Sequence, residues 1–286
     1  MITIIDELNF RDQWYIMFYD LLKKGKMCKP RGFNCLEIED YYFELDTKNK
    51  FCNFEARKLN TRYLVGELAW YLSGDRNDHR IENYSFFWKS LRNEEKPYYN
   101  SNYGYYFFTE KQMDYVIKTL IDDKDSRQAV IIINRTEVSM SSSKDKLCTY
   151  SLSFRIRDGK LNMSVNMRSN DVIMGTCIDV FQFLVLYEMI LINLNKIYLD
   201  LQRGKYFHKA DSFHVYEKHF NMVEQIVNGS NFENIECPSI ENDEEVKFLL
   251  NNFTNIEQNI RLNNIISYPN EDYLFTKWCI NQLNKK

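Results

Sequence analysis

The residues of this chain best suited to do chemistry are one cysteine, Cys148, and a stretch that follows it, residues 166–179 (NMRSNDVIMGTCID). The stretch holds Arg168, Ser169, Asn170, Asp171 and Asp179. A thiolate can attack an electron-poor carbon, an arginine can grip a phosphate through paired hydrogen bonds, and a carboxyl can bond the edge of a heterocyclic base. Each residue also has an ordinary use. A cysteine at a strand start is commonly an inert core residue, and an arginine at a strand end is commonly a surface charge. An acid in the first turn of a helix suits the helix dipole. Two acids argue for more: Asp179 stands among Cys177, Ile178, Val180 and Phe181, and Glu67 lies between Val65 and Trp70. A carboxyl with such neighbours is partly desolvated, which perturbs its pKa and invites a ligand.

Weaker signals accompany these. Arg127 precedes a strand run, as Arg168 follows one, so two arginines at strand ends suggest an anion site. His214 and Tyr216, at a strand-to-helix junction, have the groups to hold a sugar hydroxyl, or simply to cap and pack. His219 continues the helix and is structural. Cys177 opens a helix with nothing to activate it. Neither a Gly-x-Ser-x-Gly elbow nor a phosphate-binding glycine loop is present.

The elements that must position these groups follow from periodicity. Residues 6–24 form an amphipathic helix ending before Gly25, and residues 35–45 alternate as one or two strands. Residues 60–72 form a second helix, with Asn60 as N-cap and Gly74 as its stop; residues 112–121 form a third. The period then changes. Residues 129–134 are a strand, and residues 148–157 pair with 160–167 through Asp158-Gly159, a strong hairpin signal. An apolar helix covers 178–194 and another covers 215–227; beyond Gly229 one amphipathic piece, 246–253, stands out. With no repeat, linker or boundary, the reading is α+β, one domain over 1–286, with a mixed β-sheet and flanking helices.

Bulk composition sets limits. The 286 residues suffice for a substantial core, and a net charge of −3 disfavours binding a long nucleic-acid backbone. A phosphate site should therefore be local. The seven cysteines lack metal-ligand spacing, their number is odd, and the N-terminus has no leader pattern, so a reducing cytoplasm without metal is expected. The most apolar run, 181–194, contains Gln182, Glu188 and Asn193 and is too short to span a bilayer; a buried helix and no membrane association are expected.

Taken together, the motifs resemble the thymidylate synthase family, and within it the bacteriophage deoxycytidylate hydroxymethylases. The likeness covers at least residues 62–220. Gly66-Glu67-Leu68-Ala69-Trp70-Tyr71-Leu72 with Gly74-Asp75-Arg76-Asn77 is similar to the helix carrying the family's catalytic glutamate. Asn100-Ser101-Asn102-Tyr103-Gly104 resembles the hydroxymethylase tyrosine–glycine motif, and Asp125-Ser126-Arg127 the segment lending an arginine to the neighbouring subunit. Cys148 falls where the family's nucleophile lies, residues 166–171 with Gly175 match the hydroxymethylase pattern, and Phe213-His214-Val215-Tyr216 matches the ribose motif. The shared order of the motifs makes the assignment.

The resemblance implies a fold like that of thymidylate synthase and a homodimer. Arg168 and Ser169, beside Asn170, would bind the substrate phosphate with Arg127 from the other protomer and a basic residue near the N-terminus, Arg31. His214 and Tyr216 would hold the deoxyribose 3′-hydroxyl. Asp171 would bond the pterin of 5,10-methylenetetrahydrofolate, the co-substrate, with Trp88 and Gly175 beside it. Glu67 and Tyr103 would manage protons and ordered water. Two departures stand out: Gln128 replaces a second arginine, leaving one phosphate contact unaccounted for, and Thr149 follows the nucleophile where synthases carry histidine. The tail beyond Gly229 matches no part of the family pattern.

The implied reaction adds the Cys148 thiolate to C6 of a pyrimidine nucleotide, with arginine neighbours favouring the thiolate, so that C5 takes the one-carbon unit. Water then gives a hydroxymethyl group, whereas a hydride gives methyl. Asp179 stands where the synthases have asparagine. Cytosine offers an N4 donor beside an unprotonated N3, which a protonated carboxyl complements, so dCMP is favoured over dUMP. The alternatives left open are a synthase-type methyltransferase on dCMP or dUMP, a CMP hydroxymethylase, and an inactive binding homologue.

Overall fold

A computed structural model describes residues 10–92, 97–233, 236–266 and 269–285. In chain order the elements are α1 (Phe10–Lys24), β1 (Lys26–Cys28), β2 (Cys35–Asp46), α2 (Thr61–Ser73), α3 (Phe87–Leu91), α4 (Gln112–Asp122), β3 (Val130–Ile132), α5 (Thr136–Ser139), β4 (Thr149–Arg157), β5 (Lys160–Met167), β6 (Asn170–Asp171), α6 (Cys177–Asn195), β7 (Gln202–Tyr216), α7 (Phe220–Val227), α8 (Asp243–Arg261) and α9 (Leu274–Leu283). The expected start of α1 at residues 6–9 lies outside the described residues.

One mixed sheet runs in the order β1-β2-β7-β5-β4-β3, with β6 paired to β7. β5 and β7 are parallel, whereas β2 and β4 run against them. That arrangement decides where the site lies. The end of β5, the start of β4, the end of β7 and the start of β2 all meet at one end of the sheet, bringing residues far apart in sequence to a common edge.

Local chemistry explains the hairpin. Asp158 and Gly159 both take positive φ (50° and 68°), the two-residue turn that matches strand twist. Beyond it, Leu161, Met163, Val165 and Met167 alternate into the core. An irregularity in register between Thr149 and Ser151 turns Thr149 fully inward at the strand's start.

α2 begins with the Asn60 side chain accepting from the Tyr63 amide and stops at Gly74 in the left-handed conformation. Asn102 clamps its end, donating to the Trp70 and Asp75 carbonyls (2.9 Å each). Gly104 packs so closely there that a Cβ would sit 1.6 Å from the Tyr71 carbonyl oxygen. Gly104→Ala must displace backbone, and a loss of about 3 kcal/mol or more is expected from the midpoint of urea unfolding.

α6 is buried nearly all round, and its polar residues have partners. Glu188 bonds Lys50 (2.9 Å) and Arg203 (2.7 Å), with the Lys50 and Glu188 side chains fully buried. With the preceding turn, Val172–Asn195 is 24 residues long, apolar enough to cross a membrane, and 83% buried in its most apolar window. The expectation of too short a run was therefore wrong in length; packing inside the protein accounts for the helix. α8 and α9 cover it and α2: Thr61 donates to Gln282 (2.8 Å), Tyr84 to Glu257 (2.7 Å), and Trp278 stacks on Phe51.

Two further boundaries differ from expectation. Val215 and Tyr216 end β7, a fifteen-residue strand, and the helix starts at Phe220 after a 3-10 turn that contains His219. The outer side of β7 carries Lys205, Phe207, Lys209 and Asp211 while His208 and His214 are buried, so polar residues on both faces blurred its alternation.

Candidate active site

Cys148 sits at the entry to β4, half-buried, with the Arg168 guanidinium 3.6 Å from its Sγ. Arg168 is fixed there because its Nε and Nη2 donate to the Leu147 (2.7 Å) and Lys146 (3.1 Å) carbonyls, and its own amide donates to the Cys148 carbonyl (2.8 Å). The charge does not prevail. Burial raises the Cys148 pKa, Arg168 and Arg31 pull it down, and Asp179 and Asp145 push it up; the net direction is upward. The expectation that the arginines favour the thiolate holds for their sign but not for the balance, because desolvation outweighs them. Arg168→Ala should raise the thiol pKa further, read as an alkaline shift of the iodoacetamide alkylation profile.

Tyr103 lies across the thiol from the inner side. Its hydroxyl accepts from Thr149 Oγ1 (3.2 Å), its ring stacks on Phe183, and burial with the nearby Cys148 raises its pKa well above normal. Glu67 on α2 and Asp179 on α6 complete the floor. The pKa of Glu67 is raised well above the ordinary range, first by burial and then by Asp179, against a hydrogen bond from Gln182. The pKa of Asp179 is pushed up to about 7 by burial, against a hydrogen bond from Asn170. Asn170 Nδ2 donates to Asp179 Oδ2 (2.7 Å), while Asn170 Oδ1 accepts from Thr176. Gly175 lies against that pair, where a Cβ would stand 3.2 Å from Asn170 and 3.3 Å from Asp179. Near neutral pH, Asp179 is thus poised to be a neutral acid with one oxygen already accepting a bond.

The far wall comes from β6 and β7. Asp171 pairs in register with His214. Its Oδ1 accepts from the Ile173 (2.7 Å) and Met174 (2.8 Å) amides, whereas its buried Oδ2 has no partner among the described residues. A buried carboxylate oxygen in that position is open to a donor from water or from a ligand. His214 is buried beside Ser212, whose hydroxyl donates to Glu37, and Tyr216 accepts from Arg31 Nη2 (3.2 Å). Arg31 is exposed, in a turn with φ 54°. Ser169 is half-buried between Arg168 and Asn170. Trp88, partly exposed, donates through its indole to Tyr63 (2.9 Å) and packs on Trp70 and Tyr99.

The sheet end therefore gathers Cys148, Tyr103, Glu67, Asp179, Arg168, Ser169, Asn170, Asp171, Gly175, His214, Tyr216 and Arg31. Arg127 is apart, exposed before β3 and in no ion pair with a described residue. Cys177 is fully buried against Cys52 with its thiol donating to the Val172 carbonyl (3.1 Å); the Cys52 hydrogen bond and Arg57 lower its pKa against the effect of burial. Gln182 went unnoticed as a site residue; its place three residues after Asp179, in an otherwise apolar run, was the available signal. Among the described residues, no group of three or more His, Cys, Asp or Glu is placed to hold a metal.

Comparison with known proteins agrees with this geometry. The thymidylate synthase family model matches residues 12–266, well into the tail whose sequence suggested no match. A deoxycytidylate 5-hydroxymethyltransferase of Enterobacteria phage T4 is 32% identical over 71% of this chain and 85% of its own length. A deoxyuridylate hydroxymethyltransferase of Bacillus phage SP01 is 28% identical over 79% of this chain, which spans 63% of that relative. The thermostable thymidylate synthase A of Bacillus subtilis superposes with a TM-score of 0.64 at 20% identity, covering 79% of this chain and 87% of that one. The chain belongs to the thymidylate synthase family, the folate-dependent one-carbon transferases acting at C5 of pyrimidines.

Proposed function

We propose that the chain is a deoxycytidylate 5-hydroxymethyltransferase, working as one catalytic domain within a homodimer. The observation that carries this reading is the state of Asp179: a partly buried carboxyl whose desolvation pushes its pKa up to about 7, held by Asn170 at the end of the sheet that carries Cys148. A neutral carboxyl can donate to the unprotonated N3 of cytosine and accept from its N4 amine. Uracil presents a donor at N3 and an acceptor at O4, so the same acid would leave buried groups unpaired. The relatives named above act on one base or the other by their names, and Asp179 is the reason for preferring cytosine here.

In this reading Cys148 attacks C6, and the covalent bond places negative charge toward C5 and the base edge, where Asp179 and Asn170 hold the ring. Arg168, Ser169 and Arg31 bind the phosphate, and His214 with Tyr216 takes the 3′-hydroxyl. Glu67, its pKa raised by burial, and Tyr103 hold and move protons on the floor of the site. The free Oδ2 of Asp171 fits a pterin N–H donor, with Trp88 as the apolar wall. 5,10-Methylenetetrahydrofolate would supply the one-carbon unit. The exposed sheet face, with Tyr42 stacked on Phe207 and Arg155 beside Ser164, supports association through that face, with Arg127 donated across it.

The test is product mass spectrometry with dCMP, dUMP and CMP offered together with methylenetetrahydrofolate. 5-Hydroxymethyl-dCMP should dominate, with tritium released from 5-tritiated dCMP. A methyl product accompanied by dihydrofolate would overturn the hydroxymethyl assignment, and preferred turnover of dUMP or CMP would overturn the choice of dCMP.

A further inference from the structure

Cys28 and Cys35 are opposite each other across β1 and β2, with their sulfurs 3.1 Å apart. They bracket the six-residue loop that presents Arg31. The two legs of that loop are unequal. On the Cys35 side the chain is anchored: Asn34 accepts from the Glu217 amide through its carbonyl (3.0 Å) and donates to the Glu217 carboxylate through its side chain (2.9 Å). Cys35 itself is fully buried and pairs in register with Tyr216. On the Cys28 side stands β1, a three-residue edge strand whose Lys26 and Met27 are exposed. Between the legs, Arg31 and Gly32 both adopt positive φ (54° and 87°), and Arg31 reaches Tyr216.

We propose that Cys28 and Cys35 are a dithiol modification site that closes to a cross-strand disulfide and thereby fixes the Arg31 loop in its Tyr216-bound form. The oxidant is a low-molecular-weight disulfide such as glutathione disulfide. The half-exposed Cys28 thiolate attacks one sulfur of the reagent, releasing one glutathione thiol and leaving a mixed disulfide. The Cys35 sulfur, losing its proton to solvent, then attacks Cys28 Sγ and expels the second glutathione, which takes up a proton. Two thiols are oxidised and one reagent disulfide is reduced to two thiols. Residues directly opposed on antiparallel strands stand about 4.5–5.5 Å apart at Cα, within the span of about 4.4–6.8 Å that a disulfide bridges. A second close pair, Cys52 with Cys177, is fully buried and out of reach of a reagent. Because the sulfurs already touch while Arg31 contacts Tyr216, the bond selects that conformation, and a ligand's apparent affinity rises with the populated fraction.

The bond itself is tested without reference to function. The chain is incubated with glutathione disulfide, digested with trypsin without reduction, and its peptides weighed. Cleavage after Arg31 puts the two cysteines on different peptides, so the bond appears as a joined pair that dithiothreitol separates. Cys28→Ser and, separately, Cys35→Ala should lose the joined pair. Stable glutathione on Cys28, or two free thiols, would overturn the proposal. Its consequence rests on reading Arg31 as a phosphate ligand and is measured separately, as dCMP binding by calorimetry in a Cys148→Ser background. The oxidised form should bind about threefold more tightly or better. Unchanged or weaker binding by a protein shown to carry the bond would overturn the link to Arg31 and leave the bond standing; failure of dCMP to bind either form would instead count against the proposed substrate.

Discussion

Asp179→Asn is expected to reverse the base preference, moving the ratio of kcat/KM for dCMP to that for dUMP by about 10³-fold or more toward dUMP. A site that pairs buried groups with a base edge rejects the wrong pattern by about 10⁴ to 10⁵ where every group is left unpaired; the partial exposure of Asp179 places the expectation below that ceiling. An asparagine amide donates to O4 and accepts from N3–H, and it cannot carry the proton that cytosine N3 requires. Competition between the two nucleotides, scored by product mass, measures the shift; an unchanged ratio would remove Asp179 from base selection.

The same substitution has two pH signatures. With its pKa raised to about 7, Asp179 keeps its proton in the folded state where the unfolded chain has lost it. Between about pH 4 and 7 unfolding therefore releases a proton, and this group makes stability fall as pH rises. Asp179→Asn removes that dependence and should be relatively more stable at pH 8 than at pH 4, by about 1–3 kcal/mol, in paired urea titrations. In activity, wild-type kcat/KM for dCMP should decline above about pH 7 as the neutral acid is lost, while the raised thiol pKa of Cys148 draws out the acidic limb. The alkaline decline should vanish in the asparagine variant acting on dUMP.

Cys148→Ser is expected to abolish the covalent nucleotide adduct and to lower turnover on the order of 10⁴-fold or more. The pocket is built around sulfur. Arg168 is 3.6 Å from Sγ and Tyr103 lies on the inner side, but burial already opposes ionisation of the thiol. A serine hydroxyl in the same place would ionise far less. Nucleotide binding should survive, because Arg168 is held by backbone carbonyls rather than by the sulfur. Trapped adduct by intact-protein mass spectrometry and nucleotide binding by calorimetry separate the two effects. An adduct surviving in the serine variant would mean another nucleophile.

Local chemistry made much of this protein legible. Asp158-Gly159 forces the hairpin, Asn60 and Gly74 bound α2, and the alternation of 161–167 names the face of β5, because each depends on contacts within a few residues. The order of motifs around Glu67, Tyr103, Cys148 and Arg168 was also written in the chain. The extent of β7 was not: its outer face is as polar as a loop, and only pairing with β2 and β5 makes it a strand. The tail gave little sign of covering α6, since that contact joins residues distant in sequence.

The sequence by itself determined which groups are available: the thiol, the arginines, the ribose pair and an acid in place of an amide at Asp179. Only the tertiary structure decided their electrical state. Burial raises the pKa of Asp179 and Glu67, and it outweighs Arg168 at Cys148, because desolvation depends on everything packed around a charge. It also set Cys28 against Cys35, a pairing fixed by strand register that spacing alone did not reveal.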